Sequence, residues 1–130
     1  MSNELILKNF KDILESIQLV MKRSKDLVSS EDFFKNDAGL EKLDSISMRL
    51  QTIGEAIKKI SKSNPNLLDK YHEVRWKDII GFRYKISHHY FDLDAEVIFG
   101  ICKTDIPLLE KVVKKILANI DKTSEYNKES

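Results

Sequence analysis

Apolar residues recur every three or four positions near the start of the chain. They are Ile6, Phe10, Ile13, Leu14, Ile17, Val20 and Met21. This spacing lines one side of an α-helix and leaves the charged and polar residues on the other side. The pattern predicts a first helix over residues 3–25.

A second stripe of the same kind follows a short polar segment. Ser29 and Ser30 offer hydroxyl caps, and acidic residues follow them, so residues 29–37 predict a short helix or turn that packs Phe33 and Phe34 against the core. The second stripe comprises Leu40, Leu43, Ile46, Leu50, Ile53, Ile57 and Ile60. It predicts a long helix that ends before Ser63.

A third main helix is predicted to begin at Trp76, because Ile79, Phe82, Ile86 and Tyr90 keep helical spacing. Residues 66–72 can form a short helical piece before it.

The last helix is predicted to start after Asp92 and Asp94, two good capping residues. Its apolar stripe comprises Val97, Ile98, Ile101, Leu108, Leu109, Val112, Val113, Ile116, Leu117 and Ile120. Pro107 lacks a backbone N–H and crowds the preceding turn, so we expect it to kink or split this helix. From Thr123 the sequence is polar, and we expect a frayed tail.

These stripes predict an all-α fold, an antiparallel bundle of four to five helices. The 130 residues suit one domain, and the low content of Gly (4) and Pro (2) favours helices over turns. We assign residues 1–122 to the domain and residues 123–130 to a polar C-terminal tail.

Charge and cysteine content narrow the functional classes. The 22 basic and 21 acidic residues give a net charge of +1, so any affinity for nucleic acid must come from a local patch. The single Cys102 cannot form an internal disulfide, which fits a reducing cytoplasm. The N-terminus does not have the pattern of a secretory signal, and no uncharged apolar stretch approaches the roughly 20 residues of a membrane span. We therefore expect a cytoplasmic protein without a membrane segment.

Candidate chemistry lies in the segment GFRYKISHHYFDLDAE. Arg83, His88 and Tyr90 combine a permanent cation, a group that titrates near neutrality and a phenol, which together can handle a phosphate. The alternative is structural, because Arg and His at a helix end often cap carbonyls or pair with a carboxylate such as Asp92. On a regular helix Arg83 and His88 lie roughly 140° apart, so they converge on one phosphate only if the helix distorts or two copies meet.

Four residues separate Arg83 from His88, and one residue separates His88 from Tyr90. This spacing resembles the Arg-x4-His-x-Tyr signature of HepT-like toxins in the HEPN superfamily. The run IGEAIKKIS (residues 53–61) is similar to that family's second long helix. The run WKDIIGFRYKISHHYFDLDAEVIFGI (residues 76–101) is similar to its motif helix and the start of its last helix. With the size and helical order, the resemblance covers nearly the whole chain.

The resemblance implies a HEPN-like bundle that forms a two-fold homodimer with a shared cleft. It implies a toxin that cleaves RNA without a metal or another cofactor, by attack of the 2′-hydroxyl on the adjacent phosphorus. Arg83 and His88 are then the catalytic residues, with His88 as general base or acid and Arg83 stabilising the phosphorane charge.

The resemblance also implies a partner, a nucleotidyltransferase antitoxin encoded with the toxin that can adenylylate Tyr90. Without the resemblance, a packing role for Tyr90 is favoured, because its helical spacing places it on the same apolar face as Phe82 and Ile86. Tyr84 stands where the family often has a short polar residue, and its hydroxyl can substitute as a hydrogen-bonding group.

Other residues are weaker candidates for support. They are Ser87, His89 and Glu55. Glu55 can reach the motif helix and orient Arg83, or it is an ordinary surface glutamate. His89 can support His88 or bind RNA, or it is an exposed histidine at a helix end. Six basic residues can form a rim for phosphate contacts or a solvated face: Lys58, Lys59, Lys62, Arg75, Lys77 and Lys85. The histidines and Cys102 lack the paired spacing of a zinc site, so no metal is expected.

Two other functions stay open. The first is a non-catalytic HEPN module that binds nucleotide or RNA and partners a nucleotidyltransferase. The second is a helical dimer with no role in nucleic-acid chemistry.

Overall fold

The computed structural model describes the backbone of residues 1–87 and 95–129, and the side chains of residues 1–86 and 95–120. The described residues form helices and the turns that connect them, and they contain no strand. The elements in chain order are α1 (Asn3–Ser24), a 3₁₀ helix (Ser30–Phe34), α2 (Asp37–Ser63), α3 (Pro65–Asp69), α4 (Trp76–Ile80), α5 (Phe82–Ser87), α6 (Ala95–Gly100), a π turn (Ile101–Asp105) and α7 (Ile106–Glu129).

The two long N-terminal helices begin at side-chain caps. Ser2 accepts a hydrogen bond from the Leu5 amide before α1, and Asn36 accepts one from the Gly39 amide before α2. The helices pack antiparallel, and Arg49 of α2 donates to the Ser16 hydroxyl of α1 at 3.3 Å. Both predicted stripes are confirmed, because their central residues are buried. Leu40 is the exception; in the first turn of α2 it is exposed.

The 3₁₀ helix replaces the predicted short helix or turn and places one phenylalanine in the core. Phe33 is fully buried, whereas Phe34 is 59% exposed, so the prediction that both rings pack inward was wrong. Neighbouring residues in a helical turn point about 100–120° apart and cannot share one face.

The segment that carries the motif is two short helices, not the one main helix that we predicted. α4 ends at Ile80, and α5 begins at Phe82. Between them lies Gly81, whose ψ of −10° departs from α-helical geometry. At the start of α4, the Trp76 indole donates to the carbonyl of Tyr71 in the preceding loop at 3.0 Å. The Tyr71 hydroxyl accepts from Asn119 of α7 at 2.8 Å, so α7 fixes the loop that leads into the motif.

The C-terminal helix is interrupted before Pro107, as predicted. The Ile106 amide reaches back to the Ile101 carbonyl, and this wider π turn precedes the residue that has no N–H. Lys103 in the turn donates to the Ser24 carbonyl at 2.8 Å and so caps the end of α1. α7 continues to Glu129, past Thr123, where we expected the tail to begin.

One continuous core joins these elements, and it confirms the all-α bundle. Val97 and Leu108, assigned to the last stripe, are exposed at 39% and 41%, and that assignment was wrong. Ile106, which the pattern missed, is fully buried. The π turn explains the error, because it shifts the helical phase between α6 and α7.

Candidate active site at the α2–α5 cleft

Arg83 lies on α5 and faces α2. Its Nε lies 3.4 Å from Oε1 of Glu55, and the two side chains are 58% and 51% exposed. This ion pair joins the motif helix to the second long helix. The predicted approach of Glu55 to Arg83 is therefore present in the structure.

An open cleft of about 380 Å³ surrounds this ion pair. It is lined by Gly54, Glu55, Lys58, Lys77, Ile80, Gly81, Arg83 and Tyr84. The volume falls in the lower part of the range for ligand pockets, roughly 300–1,000 Å³. The cleft therefore has room for part of a ligand and opens to solvent on one side.

Three cations and one carboxylate line the cleft. Lys58 comes from α2 and Lys77 from α4, and both join Arg83 against the single carboxylate of Glu55. On a chain whose net charge is only +1, this is a local excess of positive charge. Such an excess attracts phosphate oxygens over short distances even where salt screens the wider field.

The structure separates the six basic residues of the predicted rim. Lys58 and Lys77 line the cleft, whereas Lys59, Lys62 and Arg75 do not. Lys85 lies on α5 near the half-buried Asp105, and burial raises the pKa of the Asp105 carboxyl against the opposing charge of Lys85. The sequence placed all six near one turn but had no signal for which helix face each occupies.

The cleft depends on a close approach of two backbones at Gly54. A Cβ at this position would lie 2.8 Å from the Ile79 carbonyl oxygen and 3.4 Å from the Ile80 carbonyl oxygen. Real Cβ atoms do not approach backbone that closely, so only glycine allows α2 to pack this near to α4. Gly54 therefore serves the close packing of these two helices.

Part of the predicted site lies outside the described residues. His88, His89 and Tyr90 fall there, as do the capping candidates Asp92 and Asp94. Ser87 is described as the last residue of α5, without its side chain. The roles assigned to these residues from the sequence remain predictions.

Two further properties concern ions and membranes. Among the described side chains, those of residues 1–86 and 95–120, no three His, Cys, Asp or Glu groups come together as metal ligands do. No helix in the same part of the chain combines the length and the apolar character of a membrane span.

Residues 13–116 match the family model described as "Ribonuclease HepT-like". The chain belongs to the HepT-like ribonuclease family. The match includes both walls of the cleft and the whole Arg-x4-His-x-Tyr signature, so the resemblance drawn from the sequence is confirmed.

Named relatives of this HepT-like chain agree with the match. A "Putative RNase" of Caldanaerobacter subterraneus is 37% identical over 105 residues, which cover 81% of this chain and 88% of that protein. A "Probable ribonuclease HepT" of Thermococcus cleftensis is 31% identical over 106 residues, covering 81% and 89%. A "Gamma-glutamylcyclotransferase and putative RNase" of Methanocaldococcus jannaschii is 33% identical over 117 residues, and the chain spans 50% of its length. No solved structure gave a significant match.

The HepT-like sequence pattern did not reveal two features of the site. Ile80 lines the cleft although it was not part of the apolar stripe of the predicted third helix. Gly81 breaks a helix that the sequence pattern showed as continuous. The glycine itself was the available signal, because glycine inside a helical pattern often marks a break.

Proposed function

We propose that the protein is a ribonuclease whose active site lies at the α2–α5 cleft. The observation that carries the proposal is the ion pair between Arg83, on the motif helix of a ribonuclease family, and Glu55 of α2. Lys58 and Lys77 line the same cleft. An arginine oriented by a carboxylate in a positive cleft suits the recognition of a phosphodiester.

The proposed reaction needs no metal. A histidine base takes the proton of the 2′-hydroxyl, the 2′-oxygen attacks phosphorus, and the bond from phosphorus to the 5′-oxygen breaks. A proton returned to that oxygen leaves a 5′-hydroxyl and a 2′,3′-cyclic phosphate. A free histidine side chain has a pKa of roughly 6.5, which suits this transfer, and we assign the role to His88; Arg83 stabilises the charge on the phosphorane oxygens.

A homodimer is part of the proposal. On one regular helix Arg83 and His88 point roughly 140° apart, so two chains that meet across a two-fold axis supply a cation and a base to the same phosphate. Sedimentation equilibrium of the purified chain is expected to give twice the monomer mass.

The test compares RNA cleavage by wild type, Arg83→Ala and His88→Ala. His72→Ala is the matched control, because His72 is an exposed histidine outside the motif. Wild type and His72→Ala are expected to produce 2′,3′-cyclic phosphate ends in the presence of EDTA, and both motif variants to lose activity. If no protein in this set cuts RNA, the proposal fails and the non-catalytic HEPN module becomes the better explanation.

We extend the proposal to regulation in a toxin–antitoxin pair. A nucleotidyltransferase antitoxin that adenylylates Tyr90 would add phosphate charge beside the cleft and repel RNA. Mass spectrometry after incubation with such an enzyme and ATP is expected to show one added nucleotide on wild type and none on Tyr90→Phe. Growth arrest by wild type that the antitoxin relieves would support the pairing, and an unmodified Tyr90 would contradict this mechanism of silencing.

A further inference from the structure

Tyr84 exposes a large aromatic side chain at the edge of the α2–α5 cleft. Its side chain is 68% exposed, whereas its neighbours on α5, Phe82 and Ile86, are buried and only 0% and 2% exposed. Its ring therefore contributes little to the core. It stands directly after Arg83 in sequence and lines the same cleft.

Two positive side chains of the cleft come from helices other than that of Tyr84. Lys58 belongs to α2 and Lys77 to α4, and neither forms an ion pair within the part of the chain that the structure describes. An aromatic ring flanked by lysines and an arginine is the combination that single-stranded nucleic acids bind. Bases stack on the ring while cations follow the backbone.

We propose that Tyr84 stacks on a nucleobase of the substrate, while Lys58 and Lys77 hold neighbouring phosphates of the same single strand. The inference rests on the proposed ribonuclease function and specifies its substrate. A base in a duplex is covered on both faces by its neighbours, so a stacking site of this kind selects single-stranded RNA, loops and ends.

The stacking role belongs to the ring and not to the hydroxyl. A hydrogen-bonding role, such as the one that the sequence suggested for the Tyr84 hydroxyl, would be lost in Tyr84→Phe. A stacking role is kept by phenylalanine and lost with the aliphatic side chain of leucine or alanine. The three variants therefore separate the two roles, and the exposed position makes all three compatible with folding.

The experiment measures binding by fluorescence anisotropy in a His88→Ala background, which prevents cleavage. The probes are a labelled 12-nucleotide oligoadenylate, an abasic oligomer of the same length and charge, and a blunt RNA duplex. Tyr84→Ala and Tyr84→Leu are expected to weaken oligoadenylate binding about tenfold, and Tyr84→Phe to bind within about twofold of the parent. None of the three changes should affect the abasic oligomer.

The lysines are tested with a pair matched in charge and position. Lys58→Ala should weaken binding of oligoadenylate and of the abasic oligomer by about threefold, because it contacts phosphate. Lys59→Ala, which removes the same charge from the adjacent residue outside the cleft, should leave both unchanged.

Several results would overturn the inference. Two of them concern Tyr84→Ala: it binds oligoadenylate as tightly as the parent does, or it loses as much affinity for the abasic oligomer as for oligoadenylate. Two concern the parent: it binds the duplex as tightly as the single strand, or it binds none of the probes. Cleavage by wild type is measured separately. If wild type cleaves RNA and Tyr84→Ala binds oligoadenylate as tightly as the parent, the stacking inference fails and the ribonuclease proposal stands. If wild type does not cleave RNA and Tyr84→Ala loses affinity only for the probe that carries bases, the ribonuclease proposal fails and the stacking site stands.

Discussion

Arg83 and Glu55 form an ion pair between the motif helix and the second long helix, with Nε 3.4 Å from Oε1. More than half of each side chain is exposed, so solvent screens the pair, and it contributes only about 0–1 kcal/mol to stability. Its value lies in orientation. It holds the guanidinium, a group with five N–H donors, at the cleft.

Substitutions at this pair should have unequal effects on RNA cleavage. Arg83→Lys is expected to lower kcat by about 100-fold or more, because an ammonium cannot reproduce the fork of donors on a phosphorane. Glu55→Gln is expected to lower kcat by at most about fivefold, the equivalent of about 1 kcal/mol. It should also lower KM, since it removes a negative charge near the RNA. Steady-state kinetics on one RNA oligomer measures both parameters.

Glu41→Gln is the matched control for that charge effect. Glu41 is an exposed glutamate of the same helix and does not line the cleft, so its removal should leave kcat and KM unchanged. A loss of kcat in Glu55→Gln as large as in Arg83→Lys would show that Glu55 has more than an orienting role.

Gly54→Ala and Gly100→Ala should change stability in opposite directions. At Gly54 the added methyl meets the Ile79 carbonyl oxygen at 2.8 Å, so α2 and α4 must separate, at a cost of about 1–3 kcal/mol. At Gly100 nothing lies within 4 Å of the added Cβ, so the helix gains about 1 kcal/mol from alanine's higher propensity. Urea denaturation measures both changes.

Gly54→Ala should also reduce cleavage, because the same separation moves Arg83, whose amide lies 3.7 Å from the added Cβ. Gly100→Ala, which does not line the cleft, should remain fully active. A Gly54→Ala protein as stable as wild type would mean that the two helices do not pack as closely as the structure shows.

The sequence predicted the helices well because each has a buried stripe, and it failed where tertiary contacts set the local geometry. Phe33 and Phe34 look alike in sequence, and only the tight turn of the 3₁₀ helix decides which one is buried. Likewise Lys58 and Lys59 are equivalent in composition, and the packing of α2 against α4 selects Lys58 for the cleft. Arg83 was found through the Arg-x4-His-x-Tyr spacing and Glu55 only as a weaker candidate, whereas the cleft itself is a property of the packed helices.

Asp32 should make stability depend on acid pH. The Lys35 ammonium first, and then the Val28 and Ser29 amides, lower the pKa of the Asp32 carboxyl from 3.8 to about 2. The folded state thus binds this proton less readily than the unfolded chain, so the stabilisation is present above pH 4 and is lost as pH falls towards 2. The difference in Tm between wild type and Asp32→Asn should be constant from pH 5 to 7 and should close in that acid range.

Lys35→Met tests the cause. Without the ammonium, the pKa of Asp32 should rise towards 3.8, and the loss of stability should begin at higher pH. Carboxyl chemical shifts followed by NMR during titration measure the change directly. A Tm difference between wild type and Asp32→Asn that persists unchanged at pH 2 would contradict the assignment.

Cys102 should react slowly with thiol reagents in the folded protein. Burial raises the pKa of its thiol from 9.0 to about 11, against the smaller opposing effects of a hydrogen bond with Ser24 and the charge of Lys103. At pH 8 this leaves about 100-fold less thiolate, which is the reactive form, on a residue only 3% exposed. Alkylation by iodoacetamide, followed by mass spectrometry, should therefore be at least about 100-fold slower than in 6 M urea.

Since Cys102 does not line the cleft, partial alkylation should leave the cleavage rate of the folded fraction unchanged. Fast alkylation without urea would instead show that the π turn between α6 and α7 opens locally while the rest of the bundle stays folded.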